Sequence, residues 1–128
     1  MKILLDTHLL LWAAIEPEKL SSRAMAYLGN EANHLIFSAA SIWEVAVKRG
    51  LDRPDFRVEP ALLRSGLLDA GYEEMGILSR HAVEVAALPP LHKDPFDRML
   101  LAQANCEGCL LLTADQQLLA YPGPVAAV

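Results

Sequence analysis

A chain of 128 residues with 53% hydrophobic content can bury the core of one ordinary globular domain but not of two, so we expect a single domain over residues 1–128. Its 16 acidic residues outnumber the 11 basic ones, which argues against a broad basic face that binds nucleic acid by charge alone. The apolar run from Leu9 to Ile15 is too short to span a bilayer, and no small-residue cleavage site follows it. A cytoplasmic protein without a membrane partner is therefore expected.

The first half of the chain alternates short apolar strands with helices. In chain order the pattern predicts a strand at Lys2–Leu5, a helix at about 7–15, a second helix at 21–31, a strand at 34–37, and a helix from Ser38 to Gly50. The last of these helices ends with two cationic residues and a glycine, which is typical of a C-terminus. Residues 52–59 are polar and include Pro54, so they are expected to form a loop.

The second half continues the alternation. The pattern predicts a helix at 60–70, a strand at 72–77, a helix at 79–87, a helix from Asp94-Pro95 to about Cys106, a strand at 110–112, a short helical turn from Asp115, and an edge strand within 124–128. Short, continuous apolar strands between helices indicate an α/β fold. We expect a central parallel sheet of about four to five strands with helices on both faces.

The two cysteines, Cys106 and Cys109, are three residues apart. A tetrahedral zinc site would need a second pair of ligands of this kind, and the chain has no further cysteine. A redox pair usually opens a helix, whereas this segment lies where a helix is predicted to end, at Gly108. Both cysteines are therefore interpreted as reduced packing residues.

Four acidic residues are predicted to meet at one edge of the sheet. In open parallel sheets the crevice lies beyond the carboxyl ends of the strands. Asp6 follows the first strand, Glu44 lies in the helix after the second, Asp97 opens a late helix, and Asp115 follows the strand at 110–112. Without these four, 16 − 4 = 12 acids remain against 11 bases, so the rest of the chain is nearly neutral.

Asp6 and Glu44 each have a structural alternative. Asp6 could simply cap the first helix, because an aspartate there accepts backbone N–H bonds. Glu44 could close a capping box with Ser41, which requires the helix to begin at Ser41. We favour a helix that begins nearer Ser38, which places Glu44 in the second turn among apolar residues. A buried carboxylate there needs a cation or a hydrogen-bond donor.

The segment Asp94-Pro95-Phe96-Asp97 is the most informative of the chain. Asp94 is placed as the N-cap and Pro95 as the first helical residue, so capping explains Asp94. Asp97 shares its helical face with Leu100, Leu101 and Ala104, so its side chain should point into the crevice. Arg98 could contact a phosphate as a fork donor or be a solvated first-turn residue. Asp115 could be a cap, and we interpret it as an auxiliary metal or water ligand.

Clustered carboxylates from separate strands suit a hard divalent cation, Mg²⁺ or Mn²⁺. Such an ion can activate water for attack on a phosphodiester without a side-chain nucleophile. No P-loop, dinucleotide fingerprint or Ser-His-Asp order is present. The main alternative is a response-regulator receiver, a magnesium-binding switch. It needs an acidic pair after the first strand and a lysine after the last, but Asp6 stands alone and no lysine follows Lys93.

The chain resembles the PIN-domain ribonucleases, in particular the VapC-type toxins of bacterial toxin–antitoxin systems. The residues that carry this resemblance are Leu4-Leu-Asp-Thr-His8 with Leu11-Trp12, Ser38 to Lys48, His92 to Ala104, and Leu112-Thr-Ala-Asp115. It implies a PIN-domain fold and a metal-dependent endoribonuclease, often dimeric, that cuts RNA and is silenced by a small VapB-like antitoxin. A PIN-like fold that only binds protein stays a further alternative, although all four acids are present.

Carried over by position, the resemblance assigns the four catalytic acids to Asp6, Glu44, Asp97 and Asp115. Asp6 and Asp97 match the magnesium ligands, and the candidate auxiliary residues are Asp94, Arg98 and Thr113. The chain departs from the family between Lys48 and Pro60, where the usual Gly-Lys-Leu ending is missing. That departure bears on the contacts of the loop and not on the acids.

Structural rather than catalytic roles are predicted for four residues with aromatic rings. His92 is interpreted as a loop residue and His8 as a packing residue. Trp12 and Trp43 could stack RNA bases. Both lie at helical positions flanked by aliphatic residues, so core or dimer-interface roles are predicted for them.

Overall fold

The computed structural model describes residues 1–51 and 57–128. Within these ranges five strands are present: β1 (Lys2–Leu5), β2 (His34–Ser38), β3 (Glu73–Met75), β4 (Leu110–Thr113) and β5 (Val125–Ala127). Six helices connect them: α1 (Thr7–Ile15), α2 (Ser22–Gly29), α3 (Ala39–Gly50), α4 (Pro60–Asp69), α5 (Ser79–Ala87) and α6 (Pro95–Glu107). Two short 3-10 helices lie at Pro17–Lys19 and Gln116–Ala120.

All five strands form one parallel sheet in the order β3-β2-β1-β4-β5. The predicted α/β fold is confirmed, including the edge strand near the end of the chain. That strand, β5, pairs in parallel with β4, so that Leu112 lies opposite Ala126. Strand β1 lies between β2 and β4 at the centre of the sheet.

The core lies on both faces of the sheet, because successive side chains of a strand point to opposite sides. On one face, Leu4 of β1 packs with α6 through Leu100, Leu101 and Ala104. On the other face, Ile3 and Leu5 pack with residues of α1 and α4, namely Leu9, Leu10, Leu63 and Leu67. The continuous apolar sequence of β1 therefore reflects burial on both sides.

Most predicted boundaries agree with the structure to within two residues. Helix α2 ends at Gly29 rather than at Glu31, because Asn30 leaves the helical conformation and its side-chain oxygen accepts the N–H of Ala32 at 3.0 Å. Helix α6 ends as predicted at Gly108, which has a left-handed conformation with φ of 67°. The 3-10 helix at Pro17–Lys19 was not predicted.

Three other predictions concern segments away from the site. Positions 52–56 of the predicted loop 52–59 lie outside the described residues. Cys106 and Cys109 are both free, and Cys109 is buried in the core, in agreement with packing roles. Within the described ranges, no helix combines the length and the apolar character that crossing a bilayer requires.

The parallel topology brings the functional candidates to one edge of the sheet. Because β1, β2 and β4 are neighbours that run in the same direction, their carboxyl ends meet. Asp6 follows β1, α3 with Glu44 follows β2, and Asp115 follows β4. The site is therefore built at adjacent strand ends, as expected for open parallel sheets.

Candidate active site

The carboxylate of Asp6 accepts hydrogen bonds from two separate parts of the chain. It is the N-cap of α1, and its Oδ1 accepts the N–H of Leu9 at 2.9 Å. Its Oδ2 accepts the hydroxyl of Thr113 at 2.6 Å and the N–H of Ala114 at 2.9 Å. The side chain is buried, and burial raises the pKa of Asp6 although these three hydrogen bonds act to lower it. The carboxylate is therefore held in one orientation by three donors.

Thr113 connects two of the predicted acids. Its buried hydroxyl donates to Asp6 and accepts the N–H of Asp115 at 2.9 Å. Thr113 therefore helps to position Asp6 and Asp115, which gives a physical reason for its prediction as an auxiliary residue. The sequence contained the residue but not these two contacts.

Replacing Thr113 by valine removes both hydrogen bonds with little change in volume. We expect the free energy of unfolding to fall by about 1–2 kcal/mol, because a buried carboxylate and a backbone amide lose partners. Urea denaturation of the Thr113→Val variant measures this. The Thr113→Ser variant keeps the hydroxyl and should lose less. Equal stability of the valine variant and the wild type would show that the hydroxyl does not hold Asp6.

Glu44 lies in the second turn of α3, because the helix is capped by Ser38. The favoured helix start is therefore confirmed, and the capping box from Ser41 is wrong. Glu44 is 4% exposed, and it has the donors that a buried carboxylate needs. The hydroxyl of Thr7 lies 2.7 Å from its Oε1, and Nζ of Lys48 lies 2.5 Å from its Oε2. Sequence reasoning missed both partners, although Lys48 is one helical turn away.

Asp97 lies in the first turn of α6, and its side chain is 21% exposed. Burial raises its pKa to about 7, and the negative charges of Asp94, Asp6 and Glu44 act in the same direction. The structure therefore brings Asp97 close enough to the other acids for their charges to interact. The nearby His92 acts in the opposite direction on this pKa.

Asp115 caps the second 3-10 helix, because its Oδ1 accepts the N–H of Gln117 at 2.9 Å. Its Oδ2 lies 3.1 Å from Nε2 of His92. The backbone hydrogen bond from Gln117, and then His92, hold the pKa of Asp115 below its ordinary value. The interpretation of Asp115 as a cap is borne out, and the carboxylate lies in the acidic cluster as well.

The interpretation of His92 as a plain loop residue is wrong. Its Nε2 also lies 3.7 Å from Oδ2 of Asp97. Ligand atoms of His92, Asp97 and Asp115 lie within 4.8 Å of one another, a spacing at which three groups could hold a metal ion. The one sequence signal was the position of His92 two residues before the N-cap Asp94.

Asp94 has the predicted capping role, and the guanidinium of Arg98 donates mainly to other parts of the chain. Asp94 accepts the N–H groups of Phe96 and Asp97. The guanidinium of Arg98 donates to three protein oxygens at 3.0 Å, namely the carbonyls of Val85 and Pro89 and the hydroxyl of Tyr121. Its donors are thus engaged in linking α6 to α5 and to the end of the second 3-10 helix. These contacts give Arg98 a structural role, and its contact with a phosphate stays a prediction.

A cavity of about 480 Å³ opens in front of the acids. Acidic residues, histidines and one tryptophan line most of it: Asp6, Asp94, Asp97, Asp115, His8, His92 and Trp12, with Ala114 and Gln117. Glu44 is not among the lining residues, but its charge acts on Asp97. The cavity can therefore admit a small cation together with part of a larger ligand.

Of the aromatic residues, Trp12 has its predicted core contact and His8 departs from its predicted role. His8 is exposed and lines the cavity, so its assignment to packing is wrong. Its ring centroid lies 6.2 Å from that of Trp12, which packs against the core and also lines the cavity. Trp43 is 58% exposed and contacts Phe96 edge to face at 5.0 Å, so it is not a core residue. The alternative role of Trp43 at a dimer interface stays a prediction.

Comparisons with known proteins agree with this architecture. The model of the PIN domain family matches residues 3–124. The chain is 31% identical over 123 residues to Ribonuclease VapC22 of Mycobacterium tuberculosis (strain ATCC 25618 / H37Rv), an alignment that covers 95% of this chain and 93% of that protein. The chain therefore belongs to the PIN domain family, as a relative of its VapC-type ribonucleases. The receiver alternative is thereby excluded.

Three solved structures share the fold of this chain. VapBC2 from Rickettsia felis bound to a promoter DNA fragment superposes with a TM-score of 0.73 at 15% identity, covering 100% of this chain and 99% of that chain. DNA-bound VapBC from Salmonella typhimurium superposes with a TM-score of 0.67 at 14% identity, covering 99% of this chain and 98% of that chain. FitAcB from Neisseria gonorrhoeae gives 0.58 at 19% identity, covering 96% and 95%. These likenesses establish the PIN-domain fold.

Proposed function

We propose that this protein is a divalent-metal-dependent endoribonuclease and the toxin of a toxin–antitoxin pair. Its substrate is RNA, and the reaction is hydrolysis of a phosphodiester bond by a metal-activated water. Membership of the PIN domain family and the relation to a protein named as a ribonuclease support this proposal. We assign Asp6, Glu44, Asp97 and Asp115 to catalysis.

The observation that carries the proposal is the unbalanced charge of Asp97. Asp6, Glu44 and Asp115 each accept at least two hydrogen bonds. Among the described residues, no donor lies within hydrogen-bond distance of the Asp97 carboxylate, and His92 is 3.7 Å away. A largely buried carboxylate that faces other carboxylates needs a cation. An ion held by Asp6 and Asp97 would supply it.

The donor set fits a hard divalent cation. Carboxylate oxygens of Asp6 and Asp97 border the same open cavity, and Mg²⁺ or Mn²⁺ prefers oxygen ligands and retains several waters. When bound, such an ion would lower the pKa of a coordinated water and neutralise charge on phosphoryl oxygens. The cavity is large enough for these waters and for a phosphate group.

The remaining residues act by fixing orientation. The hydroxyl of Thr113 and two backbone N–H groups fix the carboxylate of Asp6, while Thr7 and Lys48 fix Glu44. Carboxylates that are held in place before substrate binds need no rearrangement in the transition state. The rings of His8 and Trp12 give the cavity an aromatic wall, which suits stacking of an unpaired RNA base.

A comparison of the wild type with the Asp6→Asn variant on total RNA tests the proposal. We expect the wild type to cleave RNA only when Mg²⁺ or Mn²⁺ is present, and the variant to be inactive with the same ions, because it lacks one of the two ligand carboxylates. Addition of EDTA to the wild type should stop cleavage. The Asp69→Asn variant, which changes an exposed acid of α4, serves as the control and should stay active.

Two results would contradict the proposal. Cleavage by the Asp6→Asn variant at the wild-type rate would exclude the assigned site. A folded wild type that cleaves no RNA with either ion would instead favour the alternative of a PIN-like fold that only binds protein.

The partners of the proposed toxin follow from the same relation. The complexes named VapBC support a small VapB-like antitoxin as the cognate partner, and family membership supports a cytoplasmic homodimer. Large hydrophobic side chains are exposed on several helices and offer apolar area for such contacts: Trp43 at 58%, Leu62 at 72% and Val83 at 72%. A short reading frame overlapping the upstream end of this gene would support the antitoxin, and its absence would count against it.

A further inference from the structure

The ring of His92 is held in a defined orientation in the loop before α6. Its backbone N–H donates to the hydroxyl of Tyr121 at 2.8 Å. Its Nδ1 lies 3.1 Å from the backbone nitrogen of Asp94 and accepts that N–H. A backbone N–H can only donate, so Nδ1 must be the unprotonated nitrogen of the ring. The proton of the neutral ring is therefore on Nε2.

The protonated nitrogen faces the acidic cluster. Nε2 lies 3.1 Å from Oδ2 of Asp115 and 3.7 Å from Oδ2 of Asp97. The same distances would suit a metal ion bound by one nitrogen and two oxygens. The two arrangements differ in the position of the proton, because a histidine that binds a metal through Nε2 carries its proton on Nδ1. A proton there would point at the N–H of Asp94.

We infer that His92 is a positioning residue, not a metal ligand, and that its Nε2–H holds Asp115 beside a cation site made of oxygen ligands only. This inference rests on the proposed function and extends it to the chemistry of the ion. Two consequences follow. The site has no nitrogen ligand that would favour Co²⁺ over Mg²⁺ beyond their ordinary order of affinity. Loss of His92 should weaken metal binding, because Asp115, the auxiliary ligand beside Asp6 and Asp97, would lose the donor that orients its carboxylate.

The position of the proton can be measured directly by long-range ¹H–¹⁵N NMR spectra of the histidine rings. The chain has four histidines, and the signals of His92 are those missing from the His92→Gln variant. In the metal-free protein we expect Nε2 to be protonated and Nδ1 to be unprotonated. The same pattern should persist after addition of Mg²⁺. A proton on Nδ1 in the Mg²⁺-loaded protein would overturn the inference.

Calorimetric titration with Mg²⁺ and with Co²⁺ provides the second measurement. For His92→Gln we expect the affinities for both ions to fall by a similar factor, about tenfold. The control is His34→Gln, which changes an exposed histidine at the start of β2 and should bind as the wild type does. A fall for Co²⁺ much larger than that for Mg²⁺ would show that His92 is a ligand.

These measurements separate the two hypotheses. If the wild type binds neither ion, the proposed metal-dependent function fails. If the wild type binds both ions but the His92 proton is on Nδ1, only the role of His92 is overturned. The same holds if the wild type binds both ions and the His92→Gln variant loses affinity for Co²⁺ alone. Unchanged affinity for both ions in His92→Gln would also overturn it, since the residue would then position nothing.

Discussion

Replacing Asp97 by asparagine is expected to abolish RNA cleavage and, without metal, to make the protein more stable at pH 8. Cleavage is lost because the amide cannot replace the carboxylate as a ligand of the cation. Stability rises because the wild type must keep a charged group in a largely buried, negatively charged position. This single substitution should thus lower activity while it raises stability, which shows that the carboxylate is kept for function at a cost to folding.

The sign of this effect follows from the raised pKa of Asp97. The unfolded chain has the ordinary value of 3.8, whereas the folded protein has a value of about 7. The folded state therefore holds the proton more tightly, and this contribution to stability is complete below pH 3.8 and is lost as the pH rises through about 7. Because asparagine does not ionise, the Asp97→Asn variant does not lose this stability as the pH rises. Its advantage over the wild type should be present at pH 8 and almost absent near pH 4.

The size of the effect is limited by solvent in the open cavity. A rise of the Asp97 pKa from 3.8 to about 7 corresponds to about 4 kcal/mol, and we expect roughly half of this because water reaches the side chain. A gain of about 2 kcal/mol raises the melting temperature of a domain of this size by about 6 °C. Thermal unfolding in EDTA at pH 8 and pH 4 measures it. Added Mg²⁺ should raise the melting temperature of the wild type but not of the variant.

The Asp69→Asn variant is again the matched control, since it removes one exposed negative charge. It should leave the melting temperature in EDTA within about 1 °C of the wild type. A metal-free Asp97→Asn variant that is less stable than the wild type at pH 8 would show that Asp97 already has a partner in the folded protein.

The sequence predicted the sheet and the gathering of its acids because both depend on local patterns. Continuous apolar runs predict strands buried on both faces, and the end of a parallel strand places Asp6 and Asp115 at the same edge whatever the details of packing. Asp97 could be placed because the cap Asp94 and the apolar stripe after it define which face of α6 is buried. These features need no knowledge of contacts between distant residues.

The contacts that hold the acids could not be predicted in this way. Thr7 and Glu44 are 37 positions apart, and Thr113 and Asp6 are 107 positions apart. No periodic sequence pattern relates residues at such separations. His92 reaches Asp115 only because two loops approach each other. Arg98 has the chemistry of a phosphate donor, and only the positions of Val85, Pro89 and Tyr121 show that three of its five N–H groups are already used.

The free-energy cost of burying a carboxylate is offset differently for each acid of the cluster. Asp6 accepts three hydrogen bonds, Glu44 has an ammonium group, and Asp115 is partly exposed and accepts two. Asp97 is left without a donor among the described residues. The cluster therefore concentrates its unfavourable charge on the residue that is proposed to gain most from a cation. The ion pair of Glu44 with Lys48 is then the part of this arrangement with the largest effect on folding.

Replacing Lys48 by methionine is expected to lower the free energy of unfolding by about 3 kcal/mol. The side chain of Glu44 is 5% exposed, and Lys48, itself 29% exposed, supplies its one cationic partner among the described residues. Methionine keeps the aliphatic length but leaves the carboxylate with the hydroxyl of Thr7 alone. Removing one member of a buried ion pair costs more than the pair contributes, because the other charge remains buried. Urea denaturation measures the loss.

Two further variants separate this explanation from a simple loss of packing. Lys19→Met breaks a pair with Glu16 at 2.9 Å whose side chains are 53% and 46% exposed, so it should cost less than about 0.5 kcal/mol. In the double variant Glu44→Gln with Lys48→Met no buried charge remains, and most of the lost stability should return. If the double variant is as unstable as Lys48→Met, the loss comes from the lysine stem and not from the unpaired carboxylate.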